Sequence, residues 1–185
     1  MNTMIDSSKK LSQNVDWTKS KCGVMLCPIM KTMELMPEVT PFLEQLYESG
    51  MMELEPTEYL VDVKIHMLMP NMWPCIPNWH RDFVPRDMNL KRDFKKISGE
   101  KMYSWLSGPP FTEYRREDGS KYLMEANEWH AFTQDDLHRG TMCTEHTWRC
   151  FIRVIPAKFV HPTTINKGQL RQHIQTYLDV NKFTW

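Results

Sequence analysis

The sequence predicts a mainly β fold, a β-sandwich or barrel of jelly-roll type with helices added at its two ends. An apolar pattern of helical period comes first, several short β-type segments joined by turn residues follow, and a second helical pattern comes last. The 185 residues are enough for one domain with a buried core. Within this domain we expect an N-terminal arm and helix over residues 1–57, the β core over 58–156 and a C-terminal helical segment over 157–185.

The N-terminal part contains one clear helix signal. Residues 1–20 are polar and expected to be irregular, and the apolar run 22–30 is interpreted as an inner strand or an arm. A helix is predicted over residues 37–50 because apolar residues recur at helical spacing between a start signal and a stop signal. These signals are Thr40 as N-cap, Pro41 at the first helical position, the stripe Phe42, Leu43, Leu46 and Tyr47, and Gly50 after the last turn.

The segment 58–69 is the clearest β pattern in the chain. One face carries Tyr59, Val61, Val63, Ile65 and Met67, and the other carries Asp62, Lys64, His66 and Leu68. The first face is expected to lie on the core. The second, mostly polar face lies either in solvent or, in a barrel that holds a ligand, on the cavity.

The remaining elements follow in short segments. The charged stretch 83–100 is interpreted as a solvated loop or as a lid that meets an anionic substrate. Strands are predicted over residues 101–107, 111–114, 121–124, 129–133 and 147–155, with Asp118-Gly119 as a hairpin turn. A C-terminal helix is predicted over residues 168–180, with Leu170, Ile174, Tyr177 and Leu178 facing inward.

Composition excludes several classes of function. Lys plus Arg and Asp plus Glu number 23 each, so there is no basic surplus for binding along a nucleic-acid backbone. The five cysteines have no zinc-finger spacing and are expected to be free thiols in a cytoplasmic protein. The sequence shows neither a signal peptide nor an apolar run that would span a membrane. Nucleophile-elbow, Walker A and dinucleotide-binding glycine patterns are also missing from the sequence.

A candidate metal site begins with His80 and Asp82. Two residues that are two apart on an extended segment point to the same side, so an imidazole nitrogen and a carboxylate oxygen can reach one metal ion. The third ligand must come from elsewhere, and His138 is the best candidate, with His146 as the alternative. Two histidines and one carboxylate on one face of a metal are typical of non-heme Fe(II) oxygenases. A thiol ligand from Cys75 or Cys143 would instead indicate another metal or a site like that of cysteine dioxygenase.

This motif resembles that of the 2-oxoglutarate/Fe(II)-dependent oxygenases, which have a double-stranded β-helix, cupin-like fold. The resemblance implies that His80, Asp82 and His138 are the catalytic iron ligands. It further implies that Arg149 or Arg153 binds the far carboxylate of 2-oxoglutarate, and we prefer Arg149. The segments WHRDFVPR and WRCFIRV resemble small phage- and bacteria-encoded members of this class. The expected reaction is hydroxylation of a substrate that the resemblance does not identify: a small molecule, a nucleobase or a protein side chain.

Two other functions stay open at this point. One is a metal-dependent cupin of another reaction class, which would need neither arginine. The other is a non-catalytic cupin-like binding module, for example a phage-encoded inhibitor, which would bind no metal. Trp79, Tyr103 and Trp105 are candidates for the walls of a substrate cavity, and packing in the core is the alternative for each.

Overall fold

Two antiparallel β-sheets form the body of the protein in a computed structural model that describes residues 15–109, 111–174 and 176. The strands are β1 (Gly23–Pro28), β2 (Tyr59–Leu68), β3 (Met102–Leu106), β4 (Thr112–Arg115), β5 (Lys121–Leu123), β6 (His130–Phe132), β7 (Leu137–Gly140) and β8 (Thr147–Pro156). The helices are α1 (Ile29–Leu35) and α2 (Thr40–Glu48). The order of strands is β1-β2-β8-β3-β6 in the larger sheet and β5-β4-β7 in the smaller one. The predicted mainly β fold with a jelly-roll core is confirmed.

The longest ladder joins β2 to β8 and runs from the pair Tyr59–Pro156 to the pair Leu68–Thr147. Apolar residues of β2 face α1 and α2 and form the main core with the N-terminal segment. Residues of the opposite face, including Asp62 and Lys64, point between the two sheets and line a cavity. Of the two interpretations of the polar face, the cavity is therefore the one that the structure adopts.

The N-terminal segment differs in part from the sequence-based expectation. The run 22–30 forms β1, which pairs with β2, and α1 begins immediately afterwards at Ile29, where no helix was expected. The predicted helix over residues 37–50 is present, although a 3-10 turn, Pro37–Val39, precedes it. Thr40 is its first residue rather than its N-cap. Gly50 follows the helix with a φ of +69°, as expected of a residue after a C-terminal turn.

The C-terminal segment contains two 3-10 turns, Ala157–Phe159 and Pro162–Thr164. Residues 168–174 and 176 do not form the predicted helix, and the rest of that prediction, including Tyr177 and Leu178, lies outside the described residues. Leu170 nevertheless packs against the main core. None of the helices in the described ranges has the length and apolar character needed to cross a membrane.

Candidate metal centre

A cavity of about 320 Å³ lies between the two sheets. Both sheets and the segments that flank them contribute to its walls. The residues that line it are Met25, Asp62, Lys64, Pro74, Cys75, Ile76, His80, Asp82, Thr112, Tyr114, Phe132, His138, Arg149, Phe151, Arg153 and Arg171. The cavity therefore contains every residue of the predicted site, together with cationic residues that the prediction did not include.

His80 and His138 are joined by the backbone. They form an isolated antiparallel bridge, with each backbone N–H donating to the carbonyl of the other residue at 3.0 Å. His138 lies on β7, so this bridge extends the smaller sheet by one pairing. The imidazole ring centroids are 4.4 Å apart. A backbone pairing thus brings together two side chains that are 58 residues apart in the sequence.

Both imidazole rings are held in one tautomer. His80 Nδ1 lies 2.8 Å from the carbonyl oxygen of Asn78, and His138 Nδ1 lies 3.1 Å from that of Asp136. A carbonyl oxygen can only accept a hydrogen bond, so the Nδ1 atoms carry the protons. In each neutral imidazole, Nε2 is then left with a free lone pair. This is the arrangement in which metal-binding histidines are commonly held.

The two Nε2 atoms converge on the carboxylate of Asp82. His138 Nε2 lies 3.3 Å from Oδ2, and His80 Nε2 lies 3.7 Å from Oδ1. The ligand atoms of the three residues all lie within 4.8 Å of one another. Burial, followed by the neighbouring His138, lowers the pKa of His80 to about 4, so this imidazole is neutral at pH 7. A neutral imidazole lone pair directed at a carboxylate is unfavourable without a cation between them, and the donor set therefore fits a divalent metal ion.

Arg153 fixes the other side of Asp82. Its guanidinium donates to Asp82 Oδ2 and, at 2.5 Å, to Asp62 Oδ2, while Asp62 Oδ1 accepts from the backbone N–H of Leu26. Burial raises the pKa of Asp82, but the positive charge of Arg153 outweighs this effect and holds the pKa far below its usual value. Asp82 is therefore ionised across the physiological range, and its orientation is fixed by a charged neighbour.

Arg149 occupies a different environment, although it faces the same cavity from β8. Only 2% of it is exposed, and its guanidinium donates to the Thr112 hydroxyl at 3.0 Å. Among the described residues it has no carboxylate partner, and its Nε has no hydrogen-bond acceptor. A buried guanidinium with donors to spare is suited to binding an anion.

The alternative ligands from the sequence lie elsewhere or have other partners. His146 is exposed in the loop before β8, and the Cys143 thiol donates to the carbonyl of Glu145. Cys75 lines the cavity, but burial raises the pKa of its thiol, which favours the neutral form. Within the described part of the chain, the single cluster that could hold a metal consists of His80, Asp82 and His138.

The three aromatic residues considered for the cavity walls do not line it. Tyr103 and Trp105 face the helices, where Trp105 packs against Phe42 with ring centroids 4.3 Å apart. Trp79 lies beneath the guanidinium of Arg139, with 4.6 Å between the guanidinium carbon and the ring centroid. The aromatic walls are instead formed by Tyr114, Phe132 and Phe151.

Sequence reasoning missed the basic residues Lys64 and Arg171. Lys64 belongs to the polar face of β2, and the alternation of that strand gave a signal for a cavity position. Arg171 had no such signal, since it reaches the cavity from a C-terminal segment that does not form the expected helix over residues 168–174.

No protein-family model and no curated protein matches the chain. Among solved structures, the apo form of the non-heme monooxygenase ThoJ is 9% identical, with a TM-score of 0.40 over 84% of this chain and 70% of that chain. A cupin-2 domain protein from Shewanella frigidimarina is 8% identical, with a TM-score of 0.31 over 67% and 98% of the two chains. Protein NMB1881 from Neisseria meningitidis is 9% identical, with a TM-score of 0.31 over 60% and 92%. These values are too low to support an argument about activity, and the fold assignment rests on the two sheets described above.

Proposed function

We propose that the protein is a non-heme Fe(II), 2-oxoglutarate-dependent oxygenase that hydroxylates an organic substrate. His80, Asp82 and His138 would hold the iron, and Arg149 would bind the far carboxylate of 2-oxoglutarate. One observation carries the proposal: three acceptor side chains converge in a cavity that also contains a buried arginine without a carboxylate partner.

The choice of Arg149 over Arg153 follows from their partners. Arg153 is neutralised by Asp62 and Asp82, so it has no free charge to offer a cosubstrate. Arg149 has only the Thr112 hydroxyl. The two arginines are four residues apart on β8, roughly 13 Å at about 3.3 Å per residue. A five-carbon dicarboxylate therefore has room to extend from the metal ligands beside Arg153 toward Arg149.

The bound iron and 2-oxoglutarate would supply the oxidative chemistry, in which decarboxylation of the cosubstrate drives hydroxylation. The protein chain would hold the metal ligands in position. Arg153 orients Asp82, and the Asn78 and Asp136 carbonyls orient the two imidazoles. The buried rings of Tyr114 and Phe132 line the cavity beside His138, with ring centroids 5.3 and 5.7 Å from that of the imidazole, and make this part of the wall largely apolar.

The test is an anaerobic titration with Fe(II), with and without 2-oxoglutarate, that records the weak visible charge-transfer band. We expect a band that requires both components. Arg149→Ala should weaken the affinity for 2-oxoglutarate by about 30-fold or more, because it removes one partner of a buried charge pair. Exposed Arg92 provides the matched control, and Arg92→Ala should leave the titration unchanged.

Each other outcome has a defined meaning. Retention of iron by the double variant His80→Ala/Asp82→Ala would overturn the ligand assignment. Iron binding without any effect of 2-oxoglutarate would indicate a metal-dependent cupin of another reaction class. A folded protein that binds no metal would indicate the non-catalytic binding module.

A further inference from the structure

The cavity carries more positive charge than iron and 2-oxoglutarate account for. Its lining has four cationic side chains, Lys64, Arg149, Arg153 and Arg171, against the two carboxylates of Asp62 and Asp82. The two positive charges of a divalent metal and the two negative charges of 2-oxoglutarate cancel each other. A surplus of two positive charges therefore remains in the cavity, and such a surplus favours a further anion.

The surplus can be assigned to two residues. Arg153 is paired with Asp62 and Asp82, and the proposed function assigns Arg149 to the cosubstrate. Lys64 and Arg171 remain, and neither has a carboxylate partner in the part of the chain that the structure describes. Lys64 Nζ donates to the carbonyl of Pro74 at 3.2 Å, which uses one of its three protons.

The backbone places Lys64 and Arg171 at the same side of the cavity, each paired with Gly23. Gly23 of β1 is the partner of Lys64 of β2 in the antiparallel register. The backbone N–H of Arg171 donates to the carbonyl of Gly23 at 2.8 Å. The three residues thus lie on adjacent chain segments at one side of the cavity, and both cationic side chains reach its lumen.

We propose that Lys64 and Arg171 bind the carboxylate or phosphate group of the primary substrate, a small organic anion. This proposal rests on the proposed function and names the substrate class of that site. The apolar body of the substrate would lie against Met25 and Phe151, which also line the cavity. The volume of about 320 Å³ is at the lower end of ligand pockets, which span about 300–1,000 Å³, so a small molecule fits better than a polymer.

The test is isothermal titration calorimetry with three matched probes: benzoate, phenyl phosphate and the uncharged benzamide. Each is titrated into protein without additions and into protein saturated anaerobically with Fe(II) and 2-oxoglutarate. We expect one or both anions to bind under both conditions and benzamide to bind at least tenfold more weakly. Preference for benzoate or for phenyl phosphate distinguishes a carboxylate substrate from a phosphate one.

Substitutions then test whether Lys64 and Arg171 are the residues that bind the anion. Arg171→Ala and Lys64→Met should each weaken binding of the anion about tenfold, because each removes a charge-assisted hydrogen bond. Arg171→Lys should retain most of the affinity, whereas Arg92→Ala should have no effect. Circular dichroism verifies that each variant is folded, and Arg171→Lys keeps the test decisive if Lys64→Met does not fold.

The results separate this proposal from the previous one. If the anions still bind through Arg171 but 2-oxoglutarate does not bind, the proposed oxygenase is wrong and the anion site stands. If 2-oxoglutarate binds and displaces the anions, the cavity has one anion site and the present inference is wrong. Equal binding of benzamide and the anions, or an unchanged affinity in Arg171→Ala, would also overturn it.

Discussion

Individual polar residues around the cavity differ in whether they have a hydrogen-bond or ion-pair partner. The proposed metal ligands are held by carbonyl oxygens and by Arg153. His66 is different, because it is buried and neither ring nitrogen has a hydrogen-bond partner among the described residues. Burial, followed by the nearby positive charges of Arg149 and Lys64, lowers the pKa of His66 to about 3. Between pH 6.5 and about 3, this imidazole therefore stays neutral in the folded protein, whereas the same imidazole is protonated in the unfolded chain.

The lowered pKa of His66 leads to a prediction about stability in acid. Between pH 6.5 and about 3, His66 binds a proton in the unfolded chain but not in the folded one. The free energy of unfolding therefore falls as the pH is lowered through this window, and the contribution of His66 is fully present above it. We expect His66→Leu to lose stability less steeply than the parent protein in urea unfolding measured from pH 7 to pH 4.

Exposed His146 provides the control for this measurement. His146→Leu should leave the pH dependence of unfolding as it is in the parent protein. If His66→Leu and the parent protein lose stability in parallel, His66 is not held neutral by its surroundings, and the account of its environment is wrong.

Residue spacing was sufficient to predict which histidines and which aspartate come together. His-x-Asp on an extended segment and a later histidine after a turn are local patterns, and the structure brings these side chains together in one cavity. The partners of Arg153 were not predictable, because its pairing with Asp62 depends on the register of β2 against β8. The alternation of β2 indicates a polar face, but not which residue lies opposite each position.

At the level of secondary structure, β1 joins the C-terminal segment to the larger sheet. Gly23 pairs with Lys64 and accepts a hydrogen bond from the backbone of Arg171. Its φ is +137°, and a Cβ atom at this position would lie 2.0 Å from the carbonyl oxygen of Val63. The close approach of β1 to β2 therefore requires glycine here.

Gly23→Ala should destabilise the protein by about 2–3 kcal/mol, because the backbone must shift to relieve a contact with another backbone atom. Urea unfolding should show a lower midpoint with an unchanged slope. Gly99→Ala is the matched control, since nothing lies within 4 Å of a Cβ at Gly99, and we expect its midpoint to be unchanged. Equal midpoints for the two variants would show that β1 can move away from β2 at little cost.

The strands were more predictable than the segments around them. The predicted strand 58–69 and the observed Tyr59–Leu68 differ by one residue at each end, because alternation over ten residues is a strong local signal. The helix α1 was missed because it begins directly after β1 within a single apolar run that has no clear period. The C-terminal prediction of a helix was wrong over residues 168–174, where the backbone of Arg171 pairs with β1. Tertiary contact outweighs helical spacing in this segment.

For the whole molecule, the cavity lining carries a surplus of positive charge although the formal net charge of the chain is zero. The three arginines that line the cavity all influence Lys64. Burial, together with Arg149, Arg153 and Arg171, lowers the pKa of Lys64 to about 8. Its ammonium group is therefore held in an environment that disfavours the charge.

The last prediction concerns stability in alkali. Between pH 8 and 10.5, Lys64 keeps its proton in the unfolded chain but releases it in the folded protein. The unfolded state then binds more protons, so the contribution of Lys64 to the free energy of unfolding rises with pH through this window. Lys64→Met lacks this contribution. Relative to Lys64→Met, the parent protein should therefore gain stability from pH 8 to pH 10 in urea unfolding without added anions. The control variant, exposed Lys91→Met, should follow the parent protein.

A constant difference between Lys64→Met and the parent protein across this range would mean that Lys64 is not influenced by the cavity cations. This result would also remove the electrostatic basis for an anion at that position.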